Sequence, residues 1–415
     1  MKNVGIVGGG LVGLCTAYYL HRAGHQVTLL EQGDLQSGCS WGNAGMIVPS
    51  HIIPLAAPGM IAKGIRWMFN ARSPFYVKPR LSGSLVKWGY LFYKHATREH
   101  VARAIPALRD ISVLSKELYQ DMAKTLPIEF GYAERGLLMT YQTAETEREE
   151  IEAAHVANAN GIRAEVLSAS EVQALEPDVR INVRGGVYFP GDAHLIPQQL
   201  VQQLAAYLRQ HGVKILTHTP VEDFGIKNGR VDTVQTASGS HRFDEVVMAT
   251  GAWSGLLATK LGLTLPVQGG KGYSFTVPNV PRNIQIPTLL LEARVAVTPM
   301  GADLRFGGTM EINGVDHSVN MTRVEGIVQA IPKYYPDLNI AMPPKETIWH
   351  GLRPCSPDGL PYIGRAKHLS NVIVATGHGM MGVSLAPATG HLVNNLIGNT
   401  TQPLGLSPFD PTRFD

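Results

Sequence analysis

Short apolar runs alternate with helical periods along this chain, and glycine marks many of the joins. Asn3 to Val7 is a buried-strand pattern that stops at Gly8-Gly9-Gly10. Leu11 to Ala23 carries helical spacing and ends at Gly24, and Gln26 to Glu31 is a second buried strand. Together these predict a βαβ unit. From Gln32 to about Met60 no period shows. Ile61 to Gln120 reads as largely amphipathic helix with Trp67, Trp88 and Tyr90 among its anchors, and Glu145 to Asn160 as a charged helix closed by Gly161. Pro197 to Gln210 is a helix with proline in its first turn and Gly212 beyond its end. Strands are predicted at Val213–Leu216, Val231–Ala237, His241–Ala249 and Val372–Ala375, and Leu265 to Gly308 is rich in strands and turns. Val319 to Ile331 and Val383 to Leu396 return to helix.

Strand–helix units therefore fall at both ends and in the middle, separated by different material. That order predicts an α/β nucleotide-type domain in several pieces with a second domain inserted between them. At 415 residues the chain is long enough for two cores. Hydrophobic residues at 44% and charged residues at 17% indicate a packed globular protein. Lysine and arginine total 36 against 33 acidic residues, and no basic stripe is interleaved with aromatics, so no nucleic acid partner is expected. Cys15, Cys39 and Cys355 have neither metal-ligand spacing nor the even count of a disulfide framework. A reducing, cytoplasmic compartment is expected, with peripheral contact to the inner membrane as an alternative. Ser37–Ala62 and His368–Phe409 carry no formal charge, yet their prolines, glycines and asparagines exclude a spanning helix. Both stretches suit backbone wrapped around a large buried ligand.

Gly8-Gly9-Gly10-Leu11-Val12-Gly13 fits G-x-G-x-x-G, with Glu31 lying 18 residues beyond Gly13. Gly8 permits the tight turn, Gly10 lets amides reach a pyrophosphate, and Gly13 lets helix pack on strand. The helix N-terminus at Leu11 and Val12 offers free N–H groups to phosphate, and Glu31, with Gln32 beside it, can accept from ribose hydroxyls. NAD and FAD both satisfy this fingerprint. Phe243 to Gly251 favours FAD: a buried strand ending in Thr250-Gly251 sits where flavoproteins bring a later strand back to the cofactor. Val221, shortly after the strand at Val213, is a candidate for backbone contacts to adenine, and Trp253 for a cofactor contact.

The chain resembles the glycine oxidase and D-amino-acid oxidase superfamily of flavoproteins, and within it the bacterial D-amino-acid dehydrogenases. The resemblance runs through Ser40-Trp41-Gly42-Asn43-Ala44-Gly45, Pro54-Leu55-Ala56-Ala57-Pro58-Gly59 and Lys271-Gly272-Tyr273-Ser274. It continues in Phe306-Gly307-Gly308-Thr309-Met310-Glu311, Gly351 to Gly359, and Ala375-Thr376-Gly377-His378-Gly379-Met380-Met381-Gly382. It implies a discontinuous FAD-binding Rossmann-like domain formed by 1–85, 192–258 and 345–415. An α+β substrate-binding domain containing an antiparallel sheet, 86–191 and 259–344, is inserted in it. It further implies that Ser40, Asn43, Ala44, Gly45 and Met46 line the ribityl chain and ring. The Gly377 to Gly382 turn, entering a helix at Val383, would place amides and a positive dipole end where flavin reduction puts negative charge.

Arg353 is implied as the clamp on a substrate carboxylate, because a guanidinium fork binds a carboxylate bidentately. Tyr273 and Lys271 are weaker candidates for the same substrate. His194, His350 and His378 show no metal spacing and are read as structural, and Cys355 as an inert core thiol. The expected reaction passes hydride from the Cα of an amino acid to FAD N5, after which the imine hydrolyses to a 2-oxo acid. D-Amino acids come first; D-proline or cis-4-hydroxy-D-proline, and a glycine or sarcosine oxidase activity, remain open. So does the electron acceptor: a quinone, another redox protein or oxygen. An NAD-dependent dehydrogenase and a non-catalytic FAD-binding chain are the rivals of another class.

Overall fold

A computed structural model describes residues 1–62, 64, 74–78, 80 and 82–415. Six strands form one sheet in the order Tyr362–Arg365, Val372–Thr376, Glu245–Met248, Asn3–Val7, Gln26–Leu30 and Lys214–Leu216. Every neighbouring pair is parallel except Tyr362–Arg365 with Val372–Thr376. Such a sheet is covered on both faces, which is why its strands read as unbroken apolar runs. Side chains alternate accordingly. Val4, Ile6, Leu29, Val247 and Ile373 pack under the helices Leu11–Arg22, Pro197–Gln210 and Ala386–Gly398. Val7, Leu30, Val246, Met248 and Val372 face the other way, toward Phe224, Val231 and Val234 of a three-stranded meander. Helix Arg98–Thr125 joins the first of these cores through Leu108, Ile111, Tyr119 and Met122. Two of the covering helices touch backbone to backbone: a Cβ at Gly390 would lie 2.7 Å from the Cys15 main chain.

The second sheet has nine strands among the described residues. At its functional end the strand Gln268–Val277 lies between Asp303–Ile312 and Trp349–Cys355, antiparallel to both. Tyr273, Phe275, Leu304 and Phe306 point from one face into a core closed by the helix Met321–Tyr334. The pleat sends Gly270, Gly272, Ser274 and Thr276 to the opposite face.

Several expectations are corrected. The run Ile61–Gln120 is not continuous helix: a strand, Phe75–Val77, pairs with Asp303–Ile312, and separate helices begin at Gly83 and Arg98, capped by Ser82 and Thr97. Within it Trp88 is a buried anchor whose Nε1 donates to Cys355 O at 2.9 Å, whereas Tyr90 is 64% exposed. Trp67 lies outside the described residues. His241–Ala249 divides into Gly239–His241 in the meander and Glu245–Met248 in the parallel sheet. The turn between them is fixed where Asn3 N donates to Asp244 Oδ2 and Asp244 N to Asn3 O. The last helix starts at Ala386 rather than Val383, with Pro387 in its first turn.

Candidate active site

The glycines of the first turn divide into those the protein requires and one that it does not. Gly8 has φ 108°, and a Cβ there would run into Ala249 O; a Cβ on Gly13 would run into Gly8 O. At Gly10 a Cβ would meet only Ser40 Oγ at 3.5 Å. Room is therefore left beside the first helical turn, where Leu11 N donates to Ser40 Oγ at 3.0 Å and the amides of Val12 and Gly13 have no intrahelical acceptor. Open space next to free N–H groups at the positive end of a helix dipole fits a pyrophosphate. The Glu31 carboxylate is fixed at the end of the second strand by Gly9 N at 2.6 Å and Gly33 N at 2.7 Å. A carboxylate accepts about four hydrogen bonds, so capacity for ribose hydroxyls remains. Gln32 is exposed next to it. Thr219 N donates to Glu31 O at 2.8 Å, which brings the start of the Val221–Lys227 strand alongside this end.

The loop Ser40–Met46 passes from this turn to the antiparallel sheet. Asn43 Oδ1 accepts from Gly45 N at 2.8 Å, and Met46 pairs with His194. Its carbonyls point at the sheet: Ser274 Oγ donates to Gly42 O at 2.7 Å and Arg305 to Asn43 O at 2.8 Å. Among the described residues the amides of Gly42 and Ala44 meet no acceptor. Thr250, Ser254 and Thr376 form a hydroxyl chain at 2.9 and 2.7 Å that ends on Gly251 O, tying together the C-terminal ends of two neighbouring parallel strands. The Trp253 ring stacks on His317, with centroids 6.0 Å apart.

From Gly377 the chain makes a short 3₁₀ turn, Gly379–Met381, held against the sheet by a bridge between His378 and Cys355. A short turn, not the N-terminus of the long helix, is thus what Gly377, Gly379, Met380, Met381 and Gly382 present. His378 Nε2 meets Thr389 Oγ1 at 2.9 Å, and burial pushes its pKa down to about 3, so the ring is neutral. His194 is likewise buried and lowered to about 4. Burial holds the Cys355 thiol up at about 11, as an inert thiol requires. His350 faces His317 at 3.2 Å, and no group of three metal-ligating side chains exists among the described residues.

Arg353 lies on the loop-facing side of the sheet. A Cβ on Gly272 would strike its guanidinium, so glycine leaves the space in which that group lies flat. NH1 donates to Thr309 O at 2.7 Å, and among the described residues no carboxylate pairs with it. Burial lowers its pKa from the ordinary value. Thr309 sits at an irregularity in the pairing with φ 65°, a conformation that costs a β-branched residue about 1–3 kcal/mol. Tyr273 and Lys271 do not join Arg353; the pleat puts them on the other face. Tyr273 OH donates to Glu311 Oε1 at 2.9 Å and accepts from Asn320 N at 3.2 Å. Lys271, 1% exposed, donates to Ser318 O at 2.6 Å and faces Asp316 at 3.3 Å. Both are committed to a buried network completed by Arg323 on Glu311 at 3.1 Å.

Reading the chain alone misses Arg305, Ser274 and Trp349. Arg305 carries a usable signal, a lone charge between the apolar Leu304 and Phe306, but its partner Asn43 lies 262 residues away. The Trp349 ring lies where Cβ atoms at Gly42 and Gly351 would be, and its buried Nε1 has no partner among the described residues.

Residues 3–396 match the model of the DAO family, FAD-dependent oxidoreductases. The chain is 33% identical over 408 residues to a D-amino acid dehydrogenase of Methylobacterium radiotolerans, covering 95% of each chain. It is 30% identical over 398 residues to one of Granulibacter bethesdensis, covering 94% of each. Glycine oxidase from Geobacillus kaustophilus superposes with a TM-score of 0.77 at 25% identity, covering 100% of this chain and 99% of that one.

Proposed function

This chain belongs to the DAO family of FAD-dependent oxidoreductases, and from that premise we propose that it is a dehydrogenase of D-amino acids. The substrate gives up a hydride from Cα and a proton from nitrogen; water then adds to the C=N bond, releasing ammonia and a 2-oxo acid. FAD, when bound, supplies the hydride acceptor at N5. The residues of the chain bind and orient. Gly10, the first-turn amides and Glu31 would hold the AMP end, and the Ser40–Met46 loop would receive the ring. Because hydrogen leaves Cα with its electron pair, no side chain has to act as base on carbon.

Arg353 carries this reading: a largely buried guanidinium, with no carboxylate partner among the described residues, on the face that Ser274 joins to the loop. A bidentate clamp there fixes Cα relative to the ring, where an error of about 1 Å costs on the order of 10²-fold. Arg353→Ala is expected to keep FAD and lose ~10²-fold or more in kcat/KM. Near-wild-type turnover would remove the assignment. Anaerobic bleaching of the flavin by a panel of D- and L-amino acids, D-proline, cis-4-hydroxy-D-proline, glycine and sarcosine decides the substrate.

We assign the parallel sheet to FAD and the nine-stranded sheet to substrate, with three shifts from the division expected above, one being the strand Phe75–Val77, which pairs in the nine-stranded sheet. Helix Arg98–Thr125 joins the FAD unit because its apolar face shares that core, and Trp349–Cys355 joins the substrate sheet because it pairs there.

For the acceptor we favour a quinone reached at a lipid surface. Among the described residues no helix is long and apolar enough to cross a membrane. Helix Gly83–His95, however, turns Val86, Tyr90 and Tyr93 outward at 69%, 64% and 69% exposure, one helical stripe beside Lys87 and Lys94. From Leu35 to Arg98 the sequence has no acidic residue. Co-sedimentation with anionic but not zwitterionic vesicles is expected, and its loss in Tyr90→Asp/Tyr93→Asp. Equal binding by that variant would move the contact elsewhere.

A further inference from the structure

We propose that Arg305 is a positioning residue for the flavin, setting the Trp41–Asn43 loop through its carbonyls and placing an unpaired positive charge behind it. The inference rests on the reading of Ser40–Met46 as the loop beneath the ring. Leu304 and Phe306 point into the core under Met321–Tyr334, so the pleat sends Arg305 out of the opposite face toward the loop. There it is 5% exposed. Its Nε donates to Thr276 Oγ1 at 3.0 Å, and NH1 donates to Asn43 O at 2.8 Å with a longer approach to Trp41 O at 3.5 Å. With Ser274 on Gly42 O, three successive carbonyls are drawn to the antiparallel sheet. The loop is left with the Gly42 and Ala44 amides free of acceptors among the described residues.

Holding a loop needs donors; it does not need a charge. Two other buried arginines have a carboxylate at hand, Arg323 with Glu311 at 3.1 Å and Arg413 with Asp358 at 2.7 Å, and Arg353, which has none among the described residues, is read above as taking the substrate's. Arg305 has none within salt-bridge distance among the described residues, only a weaker attraction from Asp303 on its own strand. Burial pulls its pKa down to about 10, which still leaves it charged at neutral pH. A buried cation without a counter-ion is expensive, because the desolvation is not repaid. An electron pair delivered to the cofactor is the negative charge that such a cation favours. Arg305 thereby links the sheet that holds substrate to both the placement and the reducibility of the flavin.

Holoproteins carrying Arg305→Met and Arg305→Lys test both halves, read by FAD dissociation and by the flavin midpoint potential, with thermal melts as the check on folding. Arg305→Met is expected to bind FAD ~10- to 100-fold more weakly, the loss of one or two charge-assisted hydrogen bonds, and to shift the potential negative. Arg305→Lys keeps the charge but cannot span Thr276 and the loop carbonyls together, so its potential stays near wild type while FAD affinity falls. Wild-type affinity and potential in Arg305→Met overturn the proposal; a Lys variant as negative in potential as the Met variant overturns the part played by charge. Should Arg305→Met not fold, Arg305→Lys and Thr276→Val carry the decision, and wild-type FAD affinity in both overturns the proposal. Ala44→Leu separates this from the reading beneath it. Unchanged FAD binding in Ala44→Leu overturns the loop reading, whereas weakened binding there with wild-type binding in Arg305→Met overturns Arg305 alone.

Discussion

The parallel and the antiparallel sheet both reach the Ser40–Met46 loop, and they do so with different materials. On the parallel side the framework is main chain: the Gly8 turn packed on Ala249 O, Gly13 packed on Gly8 O, and the Leu11 amide donating to Ser40 Oγ at 3.0 Å. On the antiparallel side they are side chains, with Ser274, Arg305 and Arg353 standing on a face thinned by Gly270 and Gly272. Backbone geometry tolerates almost no substitution here, because Cβ atoms at Gly8 and Gly13 would run into main-chain oxygens. Side chains on a rigid pleat can be exchanged singly without loss of the fold, which is where a change of substrate can be accommodated.

Gly13→Ala should break the main-chain side most severely. The added methyl collides with a backbone oxygen that cannot rotate away, so little or no FAD-bound protein is expected on purification; a stable, yellow Gly13→Ala protein would erase the contrast. Next in size comes Arg353→Ala, which should separate chemistry from cofactor binding as described above. Gly272→Ala probes the same face more gently, because its Cβ meets the far end of a flexible side chain. Folding and FAD content should stay normal while KM for the amino acid rises ~10-fold as the guanidinium is displaced. An unaltered KM would mean that Arg353 does not depend on that space.

The smallest effect is expected at Asp192, which lies outside both faces and secures the chain just beyond the loop by accepting from Ser50 Oγ at 2.5 Å and Ser50 N at 3.1 Å. Burial pushes its pKa up from 3.8 to about 7. The native state therefore keeps a proton that the unfolded chain loses near pH 4, and stability from this group falls as pH rises from about 4 to 7, then levels. Relative to Asp192→Asn, the wild-type Tm should drop by ~2–4 °C across that window. A difference between the two proteins that does not change with pH would remove the buried acid from the account.

The same contrast explains what could be read along the chain. Leu11–Ala23 was expected as helix and Leu11–Arg22 is found, because strand, glycine turn and helix are all local. Lys271 and Tyr273 could be placed on one side of their strand by period alone, but not on the side away from Arg353. That depends on the register Gly270↔Arg353, set between segments about eighty residues apart. Arg305 is missed although it is a charge between apolar neighbours, because its partner Asn43 lies 262 residues away. The glycine turn before the last helix was legible as a turn, but the three residues by which Pro387 delays that helix were not.

The order of strands in the parallel sheet also governs how the protein is made. Asn3–Val7 is synthesised well before its partner, so one of its edges stays open until Glu245–Met248 appears, and that strand in turn waits for Val372–Thr376. Long-range pairing of this kind is slow and leaves apolar edges exposed in the meantime. A nascent chain interrupted at residue 370 carries the whole glycine fingerprint but neither the strand nor the turn that follow it. Cofactor incorporation is therefore expected late in biosynthesis, with truncated products found among aggregates rather than as apoprotein.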